Sequence, residues 1–370
     1  MLNYEFPPIG GGGGKAHLHL LEEYAKRKEF YIDVLTSSPT PGNTIEPFSN
    51  NITLYKMGLH KKSLHHWRKI EVMEWLFKTR GRLKKLLLEN NYDLAHAFFG
   101  FPTGWLSYCQ RNNLPYMISL RGSDVPGANP RLGLEYKLLA GVFRKIWKNA
   151  SSLVANSSGL AQRAKQFAPS LNYEVIPNGI DTDRFTPSQN RPDLKPLKLI
   201  TVGRLSQVKR LDLAIQAIHR ARNFGLDVEF TIVGNGNLTE ELKKLAEKLE
   251  IADSVHFTGW LEPSEIPQCY QNHHAFILTS ISEGMNNAML EAMASGLPII
   301  TTACEGTQEL VNDNGIIVSK PTPENIAKAI TEIGNDPTRY GRMADFSRKT
   351  AKEFCWADTA ERYLKLYKNI

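Results

Sequence analysis

Cysteine is scarce in this 370-residue chain: Cys109, Cys269, Cys304 and Cys355 are its only four, and no C-x-x-C pair occurs among them. That spacing excludes a disulfide framework and a cysteine-built zinc site, and fits reduced thiols. Histidine offers no metal centre either. His65-His66 and His273-His274 are adjacent pairs, and neighbouring side chains leave a helix or strand in different directions, so a structural or surface role is expected. No apolar run reaches about 18 residues and no charged-then-apolar leader opens the chain, so neither a transmembrane span nor a secretory signal is expected. The expected place is the cytoplasm. Zinc-finger, RNP-like and basic-aromatic groove patterns are also missing, which sets nucleic acid aside as a partner.

What remains is an ordinary globular composition, 42% hydrophobic and 22% charged, in a chain long enough for two domains with separate cores. Apolar strand-like runs alternate with helix-like stretches: Tyr31 to Thr36, Asp93 to Phe98, Pro115 to Leu120 and Ser152 to Ala155, then Leu197 to Val202, Val228 to Val233, Val255 to Thr258, Ala275 to Thr279 and Leu297 to Thr302. That alternation predicts an α/β protein wound as parallel sheets twice over. Pro187, Pro192 and Pro196 among polar residues mark a linker between the two windings.

One segment carries most of the chemistry. Ser280-Ile-Ser-Glu283-Gly284-Met285-Asn286-Asn287 leads from an apolar run into a helix-forming stretch that contains Glu291 and ends at Gly296 and Pro298. On one helix, eight residues at about 100° each would leave the two glutamates about 80° apart. Glu283 is therefore placed in the loop, Gly284 to Asn287 at the helix end with unpaired N–H groups, and Glu291 about one turn inside. A helix end of this kind holds phosphate, and flanking carboxylates accept from sugar and ribose hydroxyls. Met285, Met289 and Met293 fall at helical spacing and read as core.

The Glu-x7-Glu spacing, with Gly after the first Glu and Glu-Ala-Met-Ala-x-Gly-x-Pro at its end, resembles the signature of the retaining family-4 glycosyltransferases. The resemblance runs nearly end to end and implies the GT-B fold: two Rossmann-like parallel-sheet domains facing a cleft, with a C-terminal helix crossing back to the first domain. Domains are accordingly expected at 1–185 (acceptor side), 186–350 (nucleotide-sugar donor side) and 351–370 (returning helix). It also implies that Glu283 contacts the donor sugar and Glu291 the ribose.

Other segments fit this frame. Gly203-Arg204-x-x-x-x-Lys209 sits at the carboxyl end of a strand, where ligands of open α/β sheets lie, and two cations there suit a leaving diphosphate. The family match is Gly-Arg-x4-Lys, though Arg210 stands where relatives more often have Gly. Val233-Gly234-Asn-Gly236 is a second glycine turn near the donor. Gly10 to Gly14, followed by Lys15-Ala-His17, lacks the dinucleotide spacing; by resemblance Gly12 and Gly13 meet the donor phosphate and His17 the acceptor. Arg121-Gly-Ser-Asp124 stands where many relatives read His-Gly-x-Asp. Arginine cannot act as a base at neutral pH, so Arg121 is expected to bind an anionic acceptor or leaving phosphate, with Asp124 beside it among the catalytic candidates. Cys304-Glu305-Gly306 replaces a common Gly-Gly with a carboxylate on the donor side. Met1 to Phe6 supplies only the end of a first strand.

Charge is uneven: residues 1–185 hold 24 Lys and Arg against 15 Asp and Glu, whereas residues 186–370 hold 21 against 23. Between Lys56 and Lys85 ten basic residues face two acidic ones, interleaved with Trp67, Trp75 and Phe77, which reads as a basic helix for an anionic membrane surface. The expected function is retaining, metal-independent hexosyl transfer from a nucleoside diphosphate sugar, UDP-linked before GDP-linked, to a saccharide or lipid-linked acceptor of cell-surface polysaccharide, lipopolysaccharide or glycolipid. The enzyme would be cytoplasmic and peripheral on the inner membrane face, with no cofactor. A GT-B epimerase and a non-catalytic sugar-nucleotide or polysaccharide-binding protein of the same fold are the alternatives.

Overall fold

Seven short strands appear before residue 180 in a computed structural model that describes residues 1–64, 67–127, 133–190 and 193–370. The His65-His66 pair and Pro192 of the linker lie outside the described residues. The strands are β1 (Ile32–Ser38), β2 (Thr44–Ser49), β3 (Ile52–Gly58), β4 (Ala95–Phe98), β5 (Tyr116–Leu120), β6 (Ser152–Ala155) and β7 (Glu174–Val175). They form two pieces, β1-β3-β2 and β4-β5-β6-β7, parallel throughout except for the β2–β3 pair. Leu2 joins the pieces, bridging Leu35 on one side and Ala97 on the other. Its N–H donates to the His96 carbonyl and its carbonyl accepts from the Phe98 N–H, both at 2.9 Å.

Two helices cover one part of this sheet. The first, Gly12–Ala25, buries Ala16, Leu20, Leu21 and Tyr24 at helical spacing. The last, Trp356–Tyr367, buries Trp356, Ala360, Tyr363 and Leu364 and packs against it. Tyr24 donates to the Tyr367 hydroxyl at 3.2 Å and Arg27 pairs with Glu361 at 3.0 Å. The final helix thus returns to the N-terminal unit, as expected.

Residues 1–179 and 356–370 make one compact unit and residues 180–355 the other; the sequence-based division falls at 185/186 and 350/351. The second unit carries β8 (Leu197–Val202), β9 (Val228–Val233), β10 (Val255–Gly259), β11 (Ala275–Leu278), β12 (Ile299–Thr302) and β13 (Gly315–Val318). All run parallel in the order β10-β9-β8-β11-β12-β13. The chain begins at the centre, winds outward through β9 and β10, then returns beside β8 and winds the other way. The reversal lies between β8 and β11, and in such sheets the ligand crevice opens there, outside the strands' carboxyl ends. Leu199, Phe230, Ile232 and Ile277 are sealed on one face, each contributing roughly 1.5–3 kcal/mol by burial. On the other, the helix Asn287–Ala294 buries Met289 and Met293 and its loop buries Met285, so the methionines are core.

The basic segment differs from its reading as one helix. Lys56 belongs to β3, and the helix begins only at Lys69, running to Glu89. Four of the segment's ten cations are held at 3.1 Å or less by carboxylates among the described residues. Lys56 meets Glu46 at 2.5 Å, Lys61 and Arg68 meet Glu71 at 3.1 and 2.7 Å, and Lys78 meets Glu74 at 2.7 Å. Trp75 is fully buried, and Trp67 packs under the Lys61 ammonium.

Candidate active site

At the strand-order reversal, the loops after β8 and β11 are stitched together by backbone. Ile281 N–H donates to the Val208 carbonyl at 2.9 Å, and the Thr279 hydroxyl donates to the carbonyls of Lys209 and Arg210, each at 2.9 Å. This stitching brings Lys209 Nζ to 2.5 Å from Glu283 Oε1, and the Ser280 hydroxyl donates to the same oxygen at 2.7 Å. The Lys209 and Glu283 side chains are 19% and 15% exposed, so the pair is half-sheltered at the sheet edge rather than sealed. Arg204, five residues earlier, is exposed and has no ion-pair partner among the described residues.

Close backbone approach explains two glycines here. Gly234, at φ +123°, lies so near β8 that a Cβ would sit 2.1 Å from the Gly203 carbonyl oxygen. A Cβ on Gly306 would stand 1.9 Å from the Gly284 carbonyl oxygen, so the loops after β11 and β12 are equally tight. Across that contact Glu305 Oε2 accepts from the Glu283 backbone N–H at 3.0 Å. The neighbouring Cys304 thiol is pushed up to about 12, by burial first and then by the Glu283 charge, and stays protonated at neutral pH.

Asn286 caps the helix Asn287–Ala294, its side chain accepting from the Met289 N–H at 2.9 Å. Glu291 lies one turn in and accepts from the Tyr270 hydroxyl at 3.1 Å. Burial, followed by the Glu291 charge, drives the Tyr270 phenol well above its ordinary value, so it is a fixed donor. Arg204, Lys209, Gly234, Glu283 to Asn287 and Glu291 therefore share the carboxyl edge of one sheet.

The remaining candidates belong to the N-terminal unit. Gly12 and Gly13 open the first helix; a Cβ on Gly13 would press 2.6 Å from the Phe99 ring. His17 lies inside rather than at a surface: it is fully buried, stacked on Phe98 at 4.0 Å, with Nδ1 3.1 Å from Asn3 Nδ2. Burial, helped by nearby positive charge, lowers its pKa well below the usual value and keeps it neutral. Arg121 follows β5 and reaches back over the Phe98 ring at 4.7 Å, donating to Asn178 Oδ1 at 2.8 Å. The Asp124 carboxylate accepts from the backbone N–H groups of Gly100 at 2.7 Å and Arg121 at 2.8 Å, so it fastens this turn. Its pKa is raised by burial, against the pull of those donors.

Sequence reasoning did not pair Lys209 with Glu283, nor find Ser280, Tyr270 or Asn178. No local signal exists for a contact made across 74 residues. Ser280 was findable, three residues ahead of Glu283 at a strand end. His273 and His274 take the structural role expected of them: His273 Nε2 lies 2.8 Å from the Thr231 hydroxyl, and His274 Nδ1 accepts from the Lys198 N–H at 2.9 Å. Among the described residues no group of three or more His, Cys, Asp or Glu side chains is arranged to hold a metal ion. Nor is any described helix long and apolar enough to cross a membrane.

Comparison with known proteins agrees with this geometry. Residues 11–184 match the family described as Glycosyltransferase Family 4, and residues 183–350 the family described as Glycosyl transferases group 1. A glycogen synthase of Mycobacterium tuberculosis is 25% identical over 391 residues, covering 99% of this chain and 93% of that protein. Sucrose-phosphate synthase from Thermosynechococcus elongatus superposes with a TM-score of 0.83 at 19% identity, over 100% of this chain and 97% of that one. Alr3699/HepE of Anabaena, solved with UDP and glucose, gives a TM-score of 0.76 at 18% identity over 100% and 98%. These likenesses establish the fold as GT-B. Matched in this way from residue 11 to residue 350, the chain belongs to glycosyltransferase family 4 and is an enzyme that moves a sugar from a nucleotide sugar with retention of configuration.

Proposed function

We propose that the chain transfers a hexose from a nucleoside diphosphate sugar, UDP-linked in preference to GDP-linked, to a saccharide or lipid-linked acceptor in cell-surface polysaccharide, lipopolysaccharide or glycolipid synthesis. The observation that carries this reading is the half-sheltered Lys209–Glu283 pair at the β8/β11 reversal, with the exposed Arg204 beside it. An arriving diphosphate offers Lys209 a second anionic partner. Glu283 is then free to accept from sugar hydroxyls, while Glu291 accepts from the ribose and the N–H groups of Gly284 to Asn287 face phosphate. Arg204 and Lys209 stabilise the charge that grows on the diphosphate as the glycosidic bond breaks, on the same face as the incoming acceptor hydroxyl. With two cations there, the reaction needs no metal. Gly12 and Gly13 keep the donor-phosphate role that the resemblance implies, and Arg121 and Asp124 belong to the proposed acceptor side, where His17 acts through Phe98 and the chain around it.

A lipid-linked acceptor is favoured by one face of the helix Lys69–Glu89. Ile70, Met73, Phe77 and Leu88 recur at helical spacing and are exposed, Phe77 by 84% and Leu88 by 88%, with Arg80, Lys84 and Lys85 alongside. An apolar stripe flanked by cations suits an anionic bilayer, adding about 1 kcal/mol per basic residue near the surface and weakening with salt. The test is release of UDP or GDP from a panel of nucleotide sugars, with and without EDTA. Turnover with one donor that persists in EDTA is expected; no release from any donor, or activity restored only by Mn²⁺ or Mg²⁺, counts against it. Sedimentation at low salt with anionic but not neutral vesicles, lost in Phe77→Ser with Leu88→Ser, is expected for the membrane partner.

A further inference from the structure

We infer that Glu305 is a positioning residue for Glu283, acting through the backbone of the β11 loop. The inference rests on the donor site proposed above but concerns a residue with no role in it. Three observations meet at this point. Glu305 Oε2 accepts from the Glu283 N–H at 3.0 Å, fixing the peptide from which the Glu283 side chain springs. The Glu283 carboxylate is held at its other end by Lys209 Nζ at 2.5 Å and the Ser280 hydroxyl at 2.7 Å. And the loops after β11 and β12 run side by side, the Gly306 backbone lying so close to the Gly284 carbonyl that no Cβ fits between them.

A loop residue that must present a carboxylate to a sugar needs both its backbone and its side chain fixed. Ser280 and Lys209 fix only the side chain, and Lys209 is the group that an arriving diphosphate competes for. When Lys209 turns to phosphate, the Glu305 bond remains and keeps the Glu283 peptide in place. A chain with glycine at 305 has no side chain to supply this bond. The carboxylate also adds a negative charge beside a site for an anion, so Glu305 does not serve as a diphosphate ligand. Its contribution should appear in turnover and not in nucleotide affinity.

Glu305→Ala and Glu305→Gln separate these effects, since glutamine keeps an oxygen acceptor without the charge. In the assay where the wild type turns over its donor, Glu305→Ala is expected to lose about 10- to 100-fold in kcat, the scale of a small misplacement of a reacting group. Calorimetric affinity for the free nucleoside diphosphate should hold or rise, and Glu305→Gln should recover most of the turnover. Independently of activity, hydrogen exchange should show the Glu283 amide losing protection in Glu305→Ala and retaining it in Glu305→Gln, with the melting temperature little changed. Wild-type kcat or wild-type amide protection in Glu305→Ala would overturn the inference, as would equal losses in both variants. Failure of the wild type with every nucleotide sugar would instead remove the donor-site reading, and the exchange result would still judge Glu305.

Discussion

Two lysine–glutamate pairs, one in each unit, put the same chemistry to different uses. Lys61 and Glu71 lie 3.1 Å apart with side chains 1% exposed, and Arg68 closes the carboxylate from a second side at 2.7 Å. Lys209 and Glu283 are closer, at 2.5 Å, yet stand at a sheet edge where strand order reverses and keep 19% and 15% of their surface. The sealed pair is shut off from solvent and holds structure. In the function proposed above the edge pair trades its internal partner for a ligand, for which its place at the reversal and its residual exposure leave room. Ion pairing alone does not mark a functional site; what singles out Lys209 and Glu283 for the proposed one is placement at the reversal of a parallel sheet with residual exposure.

The sealed pair is the one to break first. Glu71→Gln removes the buried carboxylate that Lys61 and Arg68 share, and a loss of about 3–5 kcal/mol in unfolding free energy at neutral pH is expected by denaturant titration. Burial alone would raise the Glu71 pKa, but N–H groups of Arg68, the Lys61 ammonium and the Lys62 N–H outweigh it and hold the carboxyl at about 2. A folded pKa below the unfolded value contributes stability above the unfolded pKa and loses it as pH falls through the folded one. The gap between wild type and variant should therefore shrink from about pH 4.5 down to about pH 2. A constant gap would show that Glu71 acts through packing.

The edge pair should fail the other way, in turnover and not in fold. Lys209→Ala, and separately Arg204→Ala, are expected to lower kcat by about 10²-fold or more, the cost of removing an electrostatic group from developing charge, with little change in melting temperature. Released nucleotide measures it, and near-normal kcat in both would end the assignment of the diphosphate site. Next in size is the division between the two glutamates. Glu291→Ala should weaken binding of the free nucleoside diphosphate by about 1.5–3 kcal/mol, through loss of a charged hydrogen bond to ribose, whereas Glu283→Ala should leave it unchanged or tighter by freeing Lys209. Equal weakening in calorimetry would show the roles are misassigned.

The smallest effect lies next door. Arg210 sits at φ +45°, ψ +44° as the cap of the helix Leu211–Asn223, a left-handed position that costs a non-glycine residue about 1–2 kcal/mol. Its bonds to Asp212, at 2.9 to 3.2 Å, are half-exposed and offset only part of that cost. Arg210→Gly should shift stability by less than about 1 kcal/mol and leave kcat unchanged; a large loss of turnover would make Arg210 a ligand-binding group.

How much of this the sequence disclosed follows from range. Five of the six strands of the second unit were legible to within about two residues, because short β-branched runs bounded by glycine and proline are a local signal, whereas the four-residue β13 was passed over. Glu283 in a loop and Glu291 one turn inside a helix were legible from punctuation. The β2–β3 hairpin was passed over although Asn50-Asn51 between two β-branched runs is a two-residue turn signal. The basic segment was misread as one helix because its pattern of charge and aromatics ignores where β3 ends and which cations Glu46, Glu71 and Glu74 draw inward. Burial of His17 and the turn-fastening bonds of Asp124 depend on contacts from other strands, which no local pattern encodes.

The return of the final helix to the N-terminal unit has a consequence for synthesis. Tyr363 and Tyr367 bring hydroxyls to Ser119 at 2.9 Å and His96 at 2.7 Å, so the core of that unit is closed by residues made after the whole of 180–355. At about 5–20 residues per second the ribosome needs roughly 10–35 s to supply that stretch. For that interval the nascent first unit waits with an apolar face and a buried-type histidine uncovered, while the later-made unit already has every strand it needs. The order of completion is the reverse of the order of translation, and the half-built first unit is where a chaperone would find its substrate.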